Sequence, residues 1–222
     1  MKTNRQLRDI YSALYDAFGP QQWWPADTVD EIVIGAVLAQ NVAWRNVENA
    51  IAQLKSHRLL TLSAIAKADA SEIAPLIRST RFFNQKAVRL KALTGFLDHH
   101  GQNGDPARML QQPTGWLRTK LLALKGFGEE TVDSILLYAG GHPVFVIDAY
   151  TKRICARTGL TESNISYGRL QQFFMDRLPA DAALYNDYHA QLVHLGNTCC
   201  KKNTPQCRQC PIAQYCRQII DP

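Results

Sequence analysis

Four cysteines near the end of the chain, Cys200, Cys207, Cys210 and Cys216, stand in the spacing C-x6-C-x2-C-x5-C. Four thiolates within 17 residues make a complete set of soft ligands. Either a tetrahedral Zn²⁺ or a [4Fe-4S] cluster can be held by four cysteines, and composition does not separate the two. In a reducing compartment such crowding points to metal rather than to disulfides. Ligation would also order a segment that has little apolar core of its own. Lys201, Lys202, Arg208 and Arg217 surround the ligands and would present cations to phosphate. Cys199 neighbours a ligand but falls outside the spacing, and Cys155 reads as a small buried apolar residue.

A second candidate is Asp148, set between Ile147 and Ala149-Tyr150. Its carboxylate suits two roles. It can cap a helix over residues 149–156. It can also stabilise an oxocarbenium-like sugar and activate a water, as carboxylates do in glycoside hydrolysis. A third candidate is the turn Gly126-Phe127-Gly128 inside WLRTKLLALKGFGEETVDSILLYA, residues 116–139. Leu117, Leu121, Leu122 and Leu124 predict a helix ending near Leu124, and Val132, Ile135, Leu136 and Ala139 predict another from Thr131 onward. The result is a helix–hairpin–helix at about 117–139. Its turn is either an ordinary αα-corner or a phosphate grip, with amide N–H groups and a helix N-terminus aimed outward. Lys120 and Lys125 lie on the near side of that turn. His142, His189 and His194 show no metal spacing and read as structural or solvent-facing.

The elements that must position these residues are helical. Leu7, Ile10, Tyr11, Leu14 and Phe18 follow helical spacing, as do Val47, Ala50, Ile51 and Leu54, and Ala87, Leu90, Leu93, Phe96 and Leu97. DEIVIGAVLAQ, residues 30–40, has an acidic start and is apolar on nearly every side, so it predicts a buried helix. Breakers fall at Gly19-Pro20, Pro25, Gly101–Pro106, Pro113, Gly126/Gly128 and Gly140–Pro143. Only Val144–Ile147 reads as a strand, and it has no partner. The 222 residues are enough for two small lobes. They are 46% hydrophobic and 20% charged, which excludes a disordered chain. No apolar run reaches the ~20 residues of a membrane helix. Arg8, Asp9 and Asp16 interrupt any signal-peptide core, so a cytoplasmic protein is expected. The net charge of +6 is spread out. There are 3 basic against 2 acidic side chains in residues 1–26, 13 against 11 in 27–140 and 9 against 6 in 141–222. Such a surface suits either a mildly basic soluble protein or one that grips a polyanion.

Taken together, the hairpin LKGFGEETVDSIL, the Gly/Pro-rich stretch after it and the aspartate that follows resemble the helix–hairpin–helix (HhH-GPD) DNA glycosylase superfamily. GAVLAQN at 35–41, FFNQKAVRL at 82–90 and HLGNTCC at 194–200 are similar to further segments of that family. The resemblance implies an all-α fold of two helical lobes with a DNA-binding cleft. One lobe would be a central helical barrel over 27–140, and the other 1–26 plus 141–222 with a cluster loop at 200–216. It implies a [4Fe-4S] cluster of the endonuclease III type on the four cysteines, with zinc as the alternative. It implies double-stranded DNA with a damaged base as partner, and a monomer is the default. Gln40 and Asn41 would face the DNA gap, and Lys125, Gly126, Phe127, Gly128, Lys201 and Lys202 the backbone. Asn84 and Lys86 would cap a helix and touch phosphate.

Bifunctional members of this family carry a lysine two residues after the second hairpin glycine, where its amine attacks the sugar. That position is Glu130 here, and a carboxylate cannot form a Schiff base. The resemblance therefore implies a monofunctional enzyme in which Asp148 supports departure of the base, with Glu130 either in the base pocket or in the first helical turn as a cap. The usual hairpin proline is replaced by Lys125. Glu130, Trp23-Trp24-Pro25 and Trp44 look like the bacterial 3-methyladenine DNA glycosylase III branch. Aromatic residues there sandwich a cationic alkylated purine, which attracts π-faces; core packing is the other reading of these rings. The four-cysteine loop departs from that branch, which need not carry one. The alternatives are an endonuclease III-like glycosylase for oxidised, deaminated or mismatched bases, and a non-catalytic DNA-binding protein.

Overall fold

The structure, a computed structural model, describes residues 2–100 and 105–219. Among them every regular element is a helix or a 3-10 or π turn, with no strand. No helix among the described residues is long and apolar enough to cross a membrane. The chain divides into two compact units. One contains Met1–Trp23 and Pro143–Pro222, the other Trp24–His142.

The continuous unit holds α2 (Val29–Leu38), α3 (Trp44–Ser56), α4 (Leu62–Lys67), α5 (Ala70–Leu76), α6 (Phe83–His99), α7 (Pro106–Leu110), α8 (Thr114–Leu122) and α9 (Glu129–Ser134). A π turn over Ile135–Ala139 extends α9. Thr28 starts α2 by accepting the Glu31 amide, while Glu31 accepts the Asp27 amide. Val33 to Leu38 are then buried without a break, because α2 is surrounded by α3, α6, α7, α9 and the π turn. An apolar stretch with no polar face is stable only in such a central place. Of the Gly101–Pro106 breaker, residues 101–104 lie outside the described residues; Pro106 opens α7 behind an Asp105 cap.

The discontinuous unit holds α1 (Lys2–Phe18), α10 (Ala149–Thr158), α11 (Tyr167–Met175) and α12 (Ala182–Thr198). Two 3-10 turns follow, Cys207–Gln209 and Ala213–Tyr215. α12 packs on both α1 and α10. Phe145 and Phe174 stack at 4.1 Å in the core, with Tyr185 and Tyr188 edge-on to them. Val144–Ile147 is not the strand its sequence suggests. It runs extended and buried, and side chains satisfy its backbone. Gln171 donates to Phe145 O at 2.8 Å, and Ile147 N donates to the Tyr167 hydroxyl at 3.4 Å.

Candidate active site and nucleic-acid interface

The hairpin is built by α8 and α9. α8 ends at Leu122 and α9 begins at Glu129, each two residues earlier than the sequence suggests. Arg118 on α8 forks onto Asp133 on α9 at 2.7 and 3.0 Å, and Asp133 is fully buried. A planar guanidinium on a buried carboxylate fixes both distance and rotation between the two helices. At the turn, Gly126 has φ +89°, and a Cβ there would run into Arg89 Nε. Arg89 also donates to Gln40 Oε1, and Gln40 Nε2 donates to Gly126 O (3.1 Å) and Thr131 Oγ1 (2.9 Å). Gln40 is therefore a strut under the turn rather than a side chain projecting into open space. Asn41 beside it is exposed, with φ +53°.

Of the other hairpin residues, Lys125, Gly126 and Gly128 are exposed. The Phe127 ring is buried and its amide donates to Leu124 O, so that side chain serves the hairpin core rather than a surface. Glu130 is exposed in the first turn of α9, next to Glu129, where carboxylates favour the positive end of the helix. Lys86 does not face phosphate. It is 1% exposed, and its ammonium donates to Leu38 O (2.8 Å) and Thr80 O (2.6 Å), closing the end of α2. Burial, and then the nearby Arg89 charge, push its pKa down to about 8. Phe82, immediately before α6, is an exposed aromatic that the sequence reading quoted in a motif but did not single out. It is 62% exposed in a left-handed backbone (φ +41°), directly after Arg81 at φ +55°. An exposed ring on two strained residues was hidden in the run FFNQ because sequence does not show φ.

Trp24 lies against α2 at Gly35, where a Cβ would come within 3.2 Å of the indole. The glycine of GAVLAQN thus admits the ring. Trp44 meets Trp24 edge-to-face at 5.2 Å, and Tyr138 from the π turn approaches to 5.4 Å. Trp24 and Trp44 pack on one another, so no base-wide slot opens between these two rings. Trp24, Pro25 and Trp44 also line a cavity of about 270 Å³. Trp23 falls in the other unit. Tyr138 stands in the sequence only as part of the second hairpin helix, outside the apolar face of Val132, Ile135, Leu136 and Ala139.

Asp148 is 9% exposed and is the N-cap of α10, its Oδ1 accepting the Thr151 amide at 2.7 Å. Its Oδ2 stands 3.8 Å from Nε2 of His189 on α12. His189 is 6% exposed, so it is not solvent-facing. Burial pushes its pKa down, and the Asp148 charge opposes that.

Cys200, Cys207, Cys210 and Cys216 all line one small cavity of about 30 Å³, together with Ile154, Leu195 and Ile212. Among the described residues no three His, Cys, Asp or Glu close on a single ion. The four cysteines nevertheless are half-buried around one largely apolar cavity with nearby donors. Gln218 N donates to Cys216 Sγ at 3.3 Å and Arg157 Nη1 to Cys200 Sγ at 3.6 Å. In the structure Cys216 Sγ also donates to Arg157 O, and burial raises the pKa of Cys210 and Cys216. Donors beside sulfur in such a cavity would suit a metal–thiolate centre once the thiols lose their protons to a metal. Arg157 further ties Lys201 O and Lys202 O to α10. Cys199 lines the same cavity and contacts Cys210, while its thiol donates to Gln206 O at 3.1 Å. Lys202 is exposed and lines a broad groove with Lys152, Arg157 and Arg217.

A family model described as HhH-GPD superfamily base excision DNA repair protein matches residues 34–180. A putative DNA repair glycosylase of Methanocaldococcus jannaschii is 41% identical over 218 residues, covering 97% of this chain and 99% of that one. Endonuclease III of Sulfolobus acidocaldarius is 27% identical over 190 residues, 85% of this chain and 82% of its own. Among solved structures, the 3-methyladenine DNA glycosylase of Helicobacter pylori bound to 1,N6-ethenoadenine superposes with a TM-score of 0.73 at 27% identity, covering 88% and 97% of the two chains. A non-covalent endonuclease III–DNA complex gives a TM-score of 0.81 at 23% identity over 98% and 97%, a likeness of fold.

Proposed function

The chain belongs to the HhH-GPD superfamily of base excision DNA repair proteins and is a DNA glycosylase, and from that premise we propose that it is monofunctional and acts on alkylated purines such as 3-methyladenine. One observation carries the reading: the hairpin position that needs an amine for lyase chemistry holds the carboxylate of Glu130. No Schiff base can form on a carboxylate, so the attacking group is water. The Trp24, Trp44 and Tyr138 cluster supports an electron-poor purine as substrate, since aromatic faces attract a cationic ring. The relative bound to 1,N6-ethenoadenine, a modified purine, supports the same class.

In this mechanism the C1′–N bond breaks and the alkylated base leaves with the electron pair, its positive charge cancelled. Asp148 stabilises the oxocarbenium left behind and accepts the proton of the water that adds to C1′. Gln40, Asn41, Lys125, Gly126, Gly128, Lys201 and Lys202 are assigned to DNA contact, Gln40 through the turn it supports. Trp23 and Pro25 are assigned with Trp24 and Trp44 to the base. Cys200, Cys207, Cys210 and Cys216 would hold a [4Fe-4S] cluster. When bound, that group supplies four thiolate bonds that order the tail.

The test is release of base from duplexes carrying single defined lesions, with and without alkaline cleavage of abasic sites. Release of 3-methyladenine, with strand breaks only after alkali, is expected. Release of an oxidised pyrimidine instead would favour a second reading, an endonuclease III-like specificity. The four-cysteine tail and the endonuclease III relatives speak for that second reading.

A further inference from the structure

Asp148 and His189 form a buried pair of which the mechanism above uses one member. The two oxygens of Asp148 differ. Oδ1 is spent on the Thr151 amide that starts α10. Oδ2 stands 3.8 Å from His189 Nε2, just beyond hydrogen-bond distance. The helices that carry the pair are held in place around it. On α12, Tyr188 OH donates to Leu7 O of α1 at 2.9 Å, and Tyr150 OH of α10 donates to Asn197 at 2.6 Å. Arg153 of α10 donates to Gly196 O at 3.0 Å. With α12 packed on α10 and tied to it at Gly196 and Asn197, the carboxylate–imidazole spacing is set by the fold. A ring N–H beside a buried anion oxygen is attracted to it more strongly than in water, because few solvent dipoles compete.

We propose that His189 is a positioning residue for Asp148: its ring N–H steers Oδ2, so that the carboxylate keeps one orientation while Oδ1 stays tied to the helix. The proposal rests on the assignment of Asp148 to base release. No bond is made or broken at His189. Burial holds its ring toward the neutral form, which keeps the full negative charge of Asp148 available. The titratable groups linked to the pair are Cys155 on α10, beside Asp148, and Tyr188 on α12, beside Cys155 and next to His189 in the chain. Burial raises the pKa of both, so they stay protonated near neutral pH.

The experiment compares His189→Leu, which keeps bulk and loses the donor, with His189→Gln, which keeps a donor. Single-turnover release is measured across pH on the lesion the wild type prefers, with DNA affinity and thermal unfolding alongside. The Leu variant should react roughly 10- to 100-fold more slowly at unchanged DNA affinity, and the Gln variant should recover most of that rate. The wild type should lose rate on the acid side as the ring takes a proton beside Asp148, and the Gln variant should lack that limb. Equal rates in wild type and Leu variant, or equal losses in both variants, would overturn the proposal. A second measurement needs no turnover: ring-nitrogen shifts of His189 are titrated in wild type and in Asp148→Asn. Loss of the carboxylate charge should lower the histidine pKa. Identical titrations would refute the coupling. A protein that released no base yet showed the shift would sink the substrate assignment and leave the pair standing.

Discussion

Asp148 serves the helix and the chemistry with different atoms, and one substitution separates the two roles. Asp148→Asn keeps an oxygen for the Thr151 amide and removes the charge. Base release should fall by about 10²- to 10⁴-fold while duplex binding in a gel-shift assay stays at the wild-type level. Loss of binding together with activity would assign Asp148 to structure alone. Trp24 offers a second test, because its place depends on the bare backbone of Gly35. Gly35→Val adds methyl groups where even a Cβ is tight, and displaces the indole from α2. If the ring faces the base, Trp24→Ala and Gly35→Val should both weaken lesion binding, by roughly 1 kcal/mol or more for one lost cation–π partner. Binding to undamaged duplex should be unchanged.

At the scale of elements, the hairpin is supported from below. Arg118 and Asp133 hold its two helices together, Gln40 and Arg89 hold its turn, and Lys86 closes the end of α2, just before Gln40. The positive φ of Gly126 is the local cost of bringing the turn down onto Arg89. Lys86→Met would leave Leu38 O and Thr80 O without their donor. It should lower stability by about 3 kcal/mol, since buried acceptors lose water and partner alike. The pH dependence has a definite sign. In the folded chain Lys86 titrates at about 8, below the ~10.4 of an unfolded lysine. Between these values the unfolded chain binds the extra proton. The pH-dependent part of the stability at Lys86 is thus complete above the unfolded value and lost as pH falls through about 8, while the hydrogen bonds of its amine or ammonium remain. Thermal melts should show the gap between wild type and Lys86→Met widening from pH ~8 to pH ~10.

For the molecule as a whole, the modest charge of +6 is spread over both units instead of forming a tail, which suits a backbone grip without base reading. Among the described residues the cysteine tail adds no helix longer than a 3-10 turn, and in the proposed reading ligation by the four sulfurs is what orders it. Cys210→Ser should abolish the brown colour and broad visible absorbance of an iron–sulfur protein. It should also make the segment after α12 sensitive to limited proteolysis. A colourless wild type containing one zinc per chain would replace the cluster by zinc on the same ligands.

The all-α character, the hairpin and the superfamily were legible in the sequence, because each rests on neighbours along the chain. Helical spacing, a glycine turn and a four-thiolate interval survive any arrangement of distant segments. Val144–Ile147 reads as a strand without a partner, and the structure leaves it extended and unpaired among helices, because a short apolar run looks alike in either setting. Only the tertiary structure put Gln40 beneath Gly126, Gly35 under Trp24, Tyr138 next to Trp24, and His189 beside Asp148. Those pairs are separated by up to 114 residues: Asp148 and His189 by 41, Trp24 and Tyr138 by 114. They meet because buried faces of separate helices must pack without gaps, a condition on the whole core that no local pattern records.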